Sequence, residues 1–354
     1  MKNYQEEIAL PQLPKTDKVH HLDVDSFLTN SESVILDIRS PSEYKLAHIE
    51  RAVSFPLFSD AERAEVGTIY KQKGKDLAIE RGLEIVGPKL HKFVKDAKKM
   101  GRKKEFYLYC WRGGMRSKSM AWLLSTSGLE VSLLEGGYKA FRQSFAEYVE
   151  KDWKFVTLLG STGCGKTELL KELEKRGEQI LDLEALANHK GSAFGSFGLG
   201  EQPTTEEFIN RIHMKLRSFD SNRRIWVEGE SIMIGSCFIP ADFYNKLVDS
   251  PYYLVEMPME DRIDRLSAEY GSFDKELVES AFTKITKRMG GNNVKDAINA
   301  FASGDVRTSI RIALDYYDKG YAMASGKRTG EVLGKILIEN NDLALVAKKL
   351  IEIK

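Results

Sequence analysis

The stretch Phe155-Val156-Thr157-Leu158-Leu159-Gly160-Ser161-Thr162-Gly163-Cys164-Gly165-Lys166-Thr167 runs from an apolar, strand-like segment into a loop punctuated by glycines. From Gly160 it matches GxxxxGK[ST] without exception, and Glu168 to Arg176, which follow, have helical spacing. Strand, glycine loop and helix in that order bring successive backbone N–H groups around one anion. The amides of Ser161, Thr162, Gly163, Cys164, Gly165 and Lys166 are therefore expected to cradle a di- or triphosphate, with Lys166 on its terminal group. The Thr167 hydroxyl is expected to reach a Mg²⁺. Cys164 reads as a small filler of the loop. The acidic partner of such a metal belongs at the end of a neighbouring strand, where Glu228 closes Ile225-Trp226-Val227; Asp182 is the second choice. Nothing in the motif reads a base, so a diphosphate site fixes neither a nucleotide nor a reaction.

Outward from this loop, strands are expected at Gln179 to Leu183, Ile225 to Val227 and Tyr252 to Val255, giving a parallel sheet, with mainly helical pattern from Phe273 to the end. Upstream, Val34 to Ile38, Ala52 to Pro56, Phe106 to Tyr109 and Val131 to Leu134 alternate with amphipathic segments, which predicts a second α/β sheet. A charged, aromatic helix over Tyr138 to Asp152 joins the two. The reading is thus an α/β protein of two domains, an N-terminal one over 18–150 and a P-loop, parallel-sheet one over 151–354 with a helical C-terminal part.

The N-terminal domain carries Tyr109-Cys110-Trp111-Arg112-Gly113-Gly114-Met115-Arg116-Ser117, a cysteine where an apolar strand meets a glycine turn, with a helix expected from Ser117. Backbone amides at a helix start, together with Arg112 and Arg116, make an anion cradle, and the same field favours a nucleophilic thiolate at Cys110. A lone cysteine is more often a small buried hydrophobe. The flanking glycines and arginines shift the reading toward chemistry.

Asp37-Ile38-Arg39-Ser40-Pro41-Ser42-Glu43-Tyr44 with Ala47-His48-Ile49, the cysteine loop, and Leu134-Glu135-Gly136-Gly137-Tyr138 stand in the order of a rhodanese-like domain, which the first part of the chain resembles. Asp37 and Arg39 are expected to hold loops, and His48 to be a framework residue. Five residues separate Cys110 from Arg116, one more than in ordinary sulfurtransferase loops, and this resembles the longer loops of rhodanese-fold phosphatases. The wider cradle suits a phosphate-like anion: selenophosphate, phosphate or arsenate.

With the P-loop domain fused behind it, and with Leu186-Ala187-Asn188-His189-Lys190-Gly191-Ser192 and Leu314-Asp315-Tyr316-Tyr317-Asp318, the chain resembles the tRNA 2-selenouridine synthases over essentially its whole length. That resemblance implies exchange of the sulfur of a 5-substituted 2-thiouridine at the tRNA wobble position for selenium, through S-geranylation with geranyl diphosphate. It implies selenophosphate and geranyl diphosphate as co-substrates, the anticodon arm of tRNA as partner, and an enzyme that supplies selenophosphate. Cations and rings expected to meet the RNA are Arg262, Arg265, Lys287, Arg307, Arg311, Tyr316 and Tyr317, although Arg262 and Arg265 could serve the P-loop phosphates instead. Lys190 to Gly200 reads as a lid, with Phe194 and Phe197 either on an isoprenoid or in the core.

The formal charge of +1 gives no global polyanion signature, so RNA must be held by a local patch. Three dispersed cysteines argue against a disulfide framework or structural zinc. The N-terminal MKNYQEEIALPQ has no apolar leader core, and no run is long enough to span a bilayer, so a soluble, cytoplasmic protein is expected. The competing enzyme reading is an ATP-dependent sulfurtransferase acting on tRNA or a small molecule. The wider loop and the lack of a resolving cysteine beside it argue against that reading.

Overall fold

The computed structural model describes residues 19–30, 32–101, 105–325, 328–339 and 342–353. The N-terminal stretch read above for a leader lies outside them. The chain divides after Glu147 into two compact units, where the sequence places the boundary near residue 150.

In the first unit β1 (Val19–Leu22), β2 (Val34–Asp37), β3 (Val53–Ser54), β4 (Phe106–Tyr109) and β5 (Val131–Leu134) form one parallel sheet in the order β1-β5-β4-β2-β3. Helices cover it, and every residue of β4 and β5 is buried, as the continuous apolar runs of a two-sided parallel sheet require. β1, Val19-His20-His21-Leu22, escaped the sequence reading because two exposed histidines interrupt its apolar pattern. β3 is shorter than expected.

One buried ion pair organises this unit. Arg39 Nη2 lies 2.6 Å from Asp37 Oδ2, with side chains 1% and 0% exposed. Arg39 also donates to the Ala47 carbonyl at 2.6 Å and sits 3.9 Å from the ring centroid of Tyr138. The Tyr109 hydroxyl donates to Asp37 at 2.8 Å and accepts from the Ile49 N–H at 3.2 Å. The pair therefore joins β2 to the residue preceding Cys110 and to the helix Gly137–Glu150. His48 stacks on Tyr44, ring centroids 4.0 Å apart, as a framework residue.

In the second unit β6 (Lys154–Leu159), β7 (Gln179–Leu181), β8 (Arg224–Glu228), β11 (Tyr252–Glu256) and β12 (Val332–Leu337) form a parallel sheet in the order β12-β11-β6-β8-β7, while β9 (Met233–Ile234) pairs antiparallel with β10 (Cys237–Phe238). Three helices, Lys275–Met289, Gly291–Ala302 and Val306–Ser325, follow β11 and the helix Met259–Tyr270. The C-terminal part is mainly helical, as expected, and also contains β12, an edge strand beside β11 that was not read. Its Gly334 and Lys335 are poor strand formers tolerated at an edge, and half-exposure leaves little apolar run to read. No helix among the described residues is long and apolar enough to cross a membrane.

Replacing Asp37 by alanine leaves a buried guanidinium without its counter-charge. Asp37→Ala is expected to cost roughly 3–5 kcal/mol, read as a lower urea midpoint for the first unit; an unchanged midpoint would show that the pair does not hold it.

Candidate active sites

Cys110 is the first residue after β4, and the helix Met115–Thr126 begins at the far side of its loop, two residues earlier than expected. The cysteine is 3% exposed. Its Sγ lies 3.2 Å from Ser117 Oγ, and that hydroxyl also lies 3.2 Å from the Gly114 carbonyl, to which it donates. Rotation of this hydroxyl would let it donate to a thiolate instead. Ser117 was read only as a helix start, so this contact was missed: a serine one turn into a helix carries no sequence signal of its own.

The closing turn holds the loop in place. Tyr138 N–H donates to the Cys110 carbonyl and Lys139 N–H to that of Trp111, both at 2.9 Å. Gly137 has φ +63°, and a Cβ there would stand 2.3 Å from the Cys110 carbonyl oxygen. Of the two loop arginines, Arg112 is exposed, whereas Arg116 Nη1 lies 2.7 Å from Glu43 Oε2. Burial opposes ionisation of Glu43, but the hydrogen bond and charge of Arg116 outweigh it and hold the carboxyl below the usual range. The positive charge that Arg116 brings to the loop is therefore shared with a carboxylate.

In the second unit the loop after β6 turns through Gly163 (φ +79°) and Gly165 (φ +87°) into the helix Lys166–Lys175. Lys166 Nζ folds back on the Gly160 carbonyl at 2.7 Å. Three carboxylates, Glu184, Glu228 and Glu230, converge on this place, with one oxygen of each within 4.8 Å of the others. Thr167 Oγ1 donates to Glu184 at 3.4 Å. Glu228 is buried at the end of β8, and its Oε1 has no hydrogen-bond partner among the described residues.

Burial, reinforced by the neighbouring acids, raises the Glu228 carboxyl well above its ordinary range; burial and the charge of Glu230 push Glu184 up to about 8. Burial opposes the charge on Lys166, but the surrounding acidic groups, the three glutamates among them, raise its pKa. Three carboxylates and a hydroxyl form an oxygen-only donor set of the kind a hard divalent cation takes, and the orphaned Glu228 oxygen fits that use. Asp182 stands apart: it caps the helix Leu183–Ala187 by accepting from the Ala185 N–H at 2.8 Å. Glu184 and Glu230 were not read from the sequence. Glu184 lies two residues after the capping Asp182 and Glu230 follows Gly229, and neither spacing marks a ligand.

The P-loop opens into a cavity of about 780 Å³. Its lining combines Lys166, Thr167 and the three glutamates with the apolar side chains of Phe194, Val278, Phe282, Phe301, Ile310 and Leu314, and includes the polar Arg265, Glu269, Tyr270 and Ser309. From the segment Lys190 to Gly200, Lys190, Gly191, Ser192 and Phe194 line it. Lys190 pairs with Glu269, and the Ala193 N–H donates to Tyr317 Oη at 3.0 Å. Phe194 lines the cavity, whereas Phe197 packs on Phe273 in the core. Tyr321, unremarked in the sequence, lines the cavity beside the P-loop with its hydroxyl buried and unpartnered among the described residues.

The cations expected at the RNA separate. Arg262 is 5% exposed, bonds Asp318 at 2.8 and 2.7 Å, and donates to the Thr162 carbonyl at 2.9 Å, so it clamps the P-loop from behind. Arg265 lines the cavity and pairs with Glu168 at 2.8 Å. Arg307 pairs with Glu260 at 2.8 Å and with Asp264, and Arg311 pairs with Glu260. Lys287 is exposed near the end of Lys275–Met289. Tyr317 belongs to the cavity wall, with burial pushing its hydroxyl up to about 12, and Tyr316 is half-buried against it.

Residues 22–144 match the family model for the rhodanese-like domain, and residues 153–342 that for the tRNA 2-selenouridine synthase AAA domain. The chain is similar to a protein of Hydrogenovibrio crunogenus named tRNA 2-selenouridine synthase, 36% identical over 321 residues that cover 81% of this chain and 88% of that one. Proteins of the same name from Bordetella petrii (34% identical, 84% of this chain and 88% of that one) and Shewanella frigidimarina (31%, 84% and 90%) are also similar.

The raised Glu184 carboxyl fixes a sign for stability against pH. With a folded value of about 8 against the ordinary 4.5, the folded chain keeps a proton that the unfolded chain has lost. The stability this contributes is complete below the ordinary value and lost as pH rises through the folded one. Without divalent cation, the melting temperature of the wild type is expected to fall relative to Glu184→Gln between about pH 5 and about pH 8. Parallel curves for the two proteins would contradict the assignment.

Proposed function

The chain belongs to the tRNA 2-selenouridine synthase family, and on that premise we propose that it exchanges sulfur for selenium in a 5-substituted 2-thiouridine at the tRNA wobble position, in two stages: geranylation at the P-loop cavity and selenium transfer at the cysteine loop. The observation that carries this is the composition of the cavity, whose lining joins the P-loop residues Lys166 and Thr167 with the apolar side chains of Phe194, Phe282, Phe301 and Leu314. A nucleotide carries a polar ribose behind its phosphates. Geranyl diphosphate carries only hydrocarbon.

Chemistry explains why alkylation comes first. A thiocarbonyl sulfur is a poor leaving group, whereas an alkylated sulfur leaves as a thiolate. The thiocarbonyl sulfur attacks C1 of geranyl diphosphate, the C–O bond breaks, pyrophosphate leaves with the electron pair, and the base loses its N3 proton. The P-loop amides and Lys166 stabilise the charge that builds on the pyrophosphate. A Mg²⁺ held by Thr167 and the carboxylates of Glu184, Glu228 and Glu230 would supply further neutralisation there.

Selenophosphate already holds selenium as a nucleophile, so the second site has to hold and aim it. The loop of Cys110, Arg112 and Arg116 meets that need with a helix start and an exposed guanidinium. Selenium attacks C2 of the base, geranylthiolate departs and takes up a proton, and water cleaves the P–Se bond to leave phosphate and the selenated base. An enzyme producing selenophosphate is the implied supplier.

Nucleoside mass spectrometry separates the stages. Thiolated tRNA with geranyl diphosphate should yield the S-geranyl nucleoside, and selenophosphate should convert that nucleoside to the seleno form. Lys166→Ala is expected to slow geranylation by roughly 10²–10³-fold while sparing selenation of tRNA already geranylated. Cys110→Ser should do the reverse. Equal loss of both reactions in either variant would overturn the division of labour, and ATP-dependent thiolation without geranylation would favour a sulfurtransferase.

A further inference from the structure

A polyanion is held by cations that are not already neutralised. Arg262, Arg265, Arg307 and Arg311 each have a carboxylate partner, and a phosphate approaching the last two would have to displace Glu260 and Asp264. The first unit offers a different surface.

The helix Leu90–Met100 is divided lengthwise. Leu90, Phe93, Val94, Ala97 and Met100 pack on the core, leaving Lys92, Lys95, Lys98 and Lys99 on the other side. Lys92, Lys95 and Lys99 are exposed and follow the i, i+3, i+7 spacing of one stripe. Asp96 is the only acid in the helix and pairs with Lys99 at 3.3 Å; Lys92, Lys95 and Lys98 have no ion pair among the described residues. Four lysines against one aspartate leave an excess of three positive charges on this helix, in a chain whose formal charge is +1. At 1.5 Å per residue the stripe from Lys92 to Lys99 runs about 10 Å, enough to follow a nucleic-acid backbone past a single phosphate.

We propose that this face of the rhodanese-like unit binds the phosphate backbone of the tRNA. The proposal rests on tRNA being the substrate. Such contacts fix the position of the RNA and carry no sequence information, which leaves the choice of base to the active sites.

The test is filter binding of an in vitro transcribed tRNA at several salt concentrations, with the triple variant Lys92→Gln, Lys95→Gln, Lys99→Gln. Glutamine keeps helix propensity close to that of lysine. The variant is expected to bind at least about tenfold more weakly at low salt, with the log–log salt slope smaller by about two units. The matching Lys→Arg variant should bind as the wild type does, and Arg307→Gln with Arg311→Gln should change little. Unchanged melting temperature and geranyl diphosphate binding in the triple variant would show that the fold and the P-loop are intact. If the wild type binds no tRNA, the substrate reading falls and this surface with it. If the wild type binds and the triple variant matches it in affinity and slope, only the surface is overturned.

Discussion

A strand of a parallel sheet cannot turn straight back, so the chain must leave its carboxyl end through a loop and a helix before it returns. Both candidate sites are consequences of that constraint. After β4 the chain passes through Cys110 to Gly114 and enters the helix Met115–Thr126; after β6 it passes through Gly160 to Gly165 and enters Lys166–Lys175. In each, helix amides with free hydrogens face the loop and suit it to an anion. The two loops differ in what holds them. The first is pinned by the Gly136-Gly137 turn and backed by the Asp37–Arg39 pair; the second is clamped by Arg262, which is held by Asp318 and donates to the Thr162 carbonyl.

Charge in the second site is concentrated and unresolved by protein groups alone. Three glutamates with raised pKa values surround one lysine, and one carboxylate oxygen is buried without a donor. Isolated buried carboxylates are costly unless protonated, paired or bound to a cation. Three such carboxylates around a lysine and a threonine hydroxyl suit a hard divalent cation. The same cavity is also lined by Phe194, Phe282, Phe301 and Leu314, and on those side chains the proposal of a prenyl diphosphate rests.

Much of this was legible in the sequence because local chemistry dictates it. The P-loop and the cysteine loop announce themselves by glycine spacing, and Glu228 by its place at the end of a strand. Asp37 and Arg39 were expected to hold loops; that they do so by pairing with each other is seen only in the fold. What escaped reading depends on residues far apart in the chain. Glu184 and Glu230 meet Glu228 only after β7 and β8 pair, and Ser117 meets Cys110 only when the helix begins at Met115. Arg262 was read as a cation for the RNA or for the P-loop phosphates, and its role as a brace of the loop was hidden because its partner Asp318 is on a distant helix. The segment around Ala193 and the one around Tyr317 read as separate motifs, yet a hydrogen bond joins them across one cavity wall.

The central claim is that one cavity binds diphosphate at one end and hydrocarbon at the other. Isothermal titration of the protein with geranyl diphosphate, inorganic pyrophosphate and ATP, each with Mg²⁺, tests it most directly. The account predicts that geranyl diphosphate binds at least about a hundredfold tighter than pyrophosphate, because burial of several CH₂ equivalents contributes about 0.8 kcal/mol each, and tighter than ATP. ATP binding as tightly as geranyl diphosphate, with geranyl diphosphate no better than pyrophosphate, would contradict it.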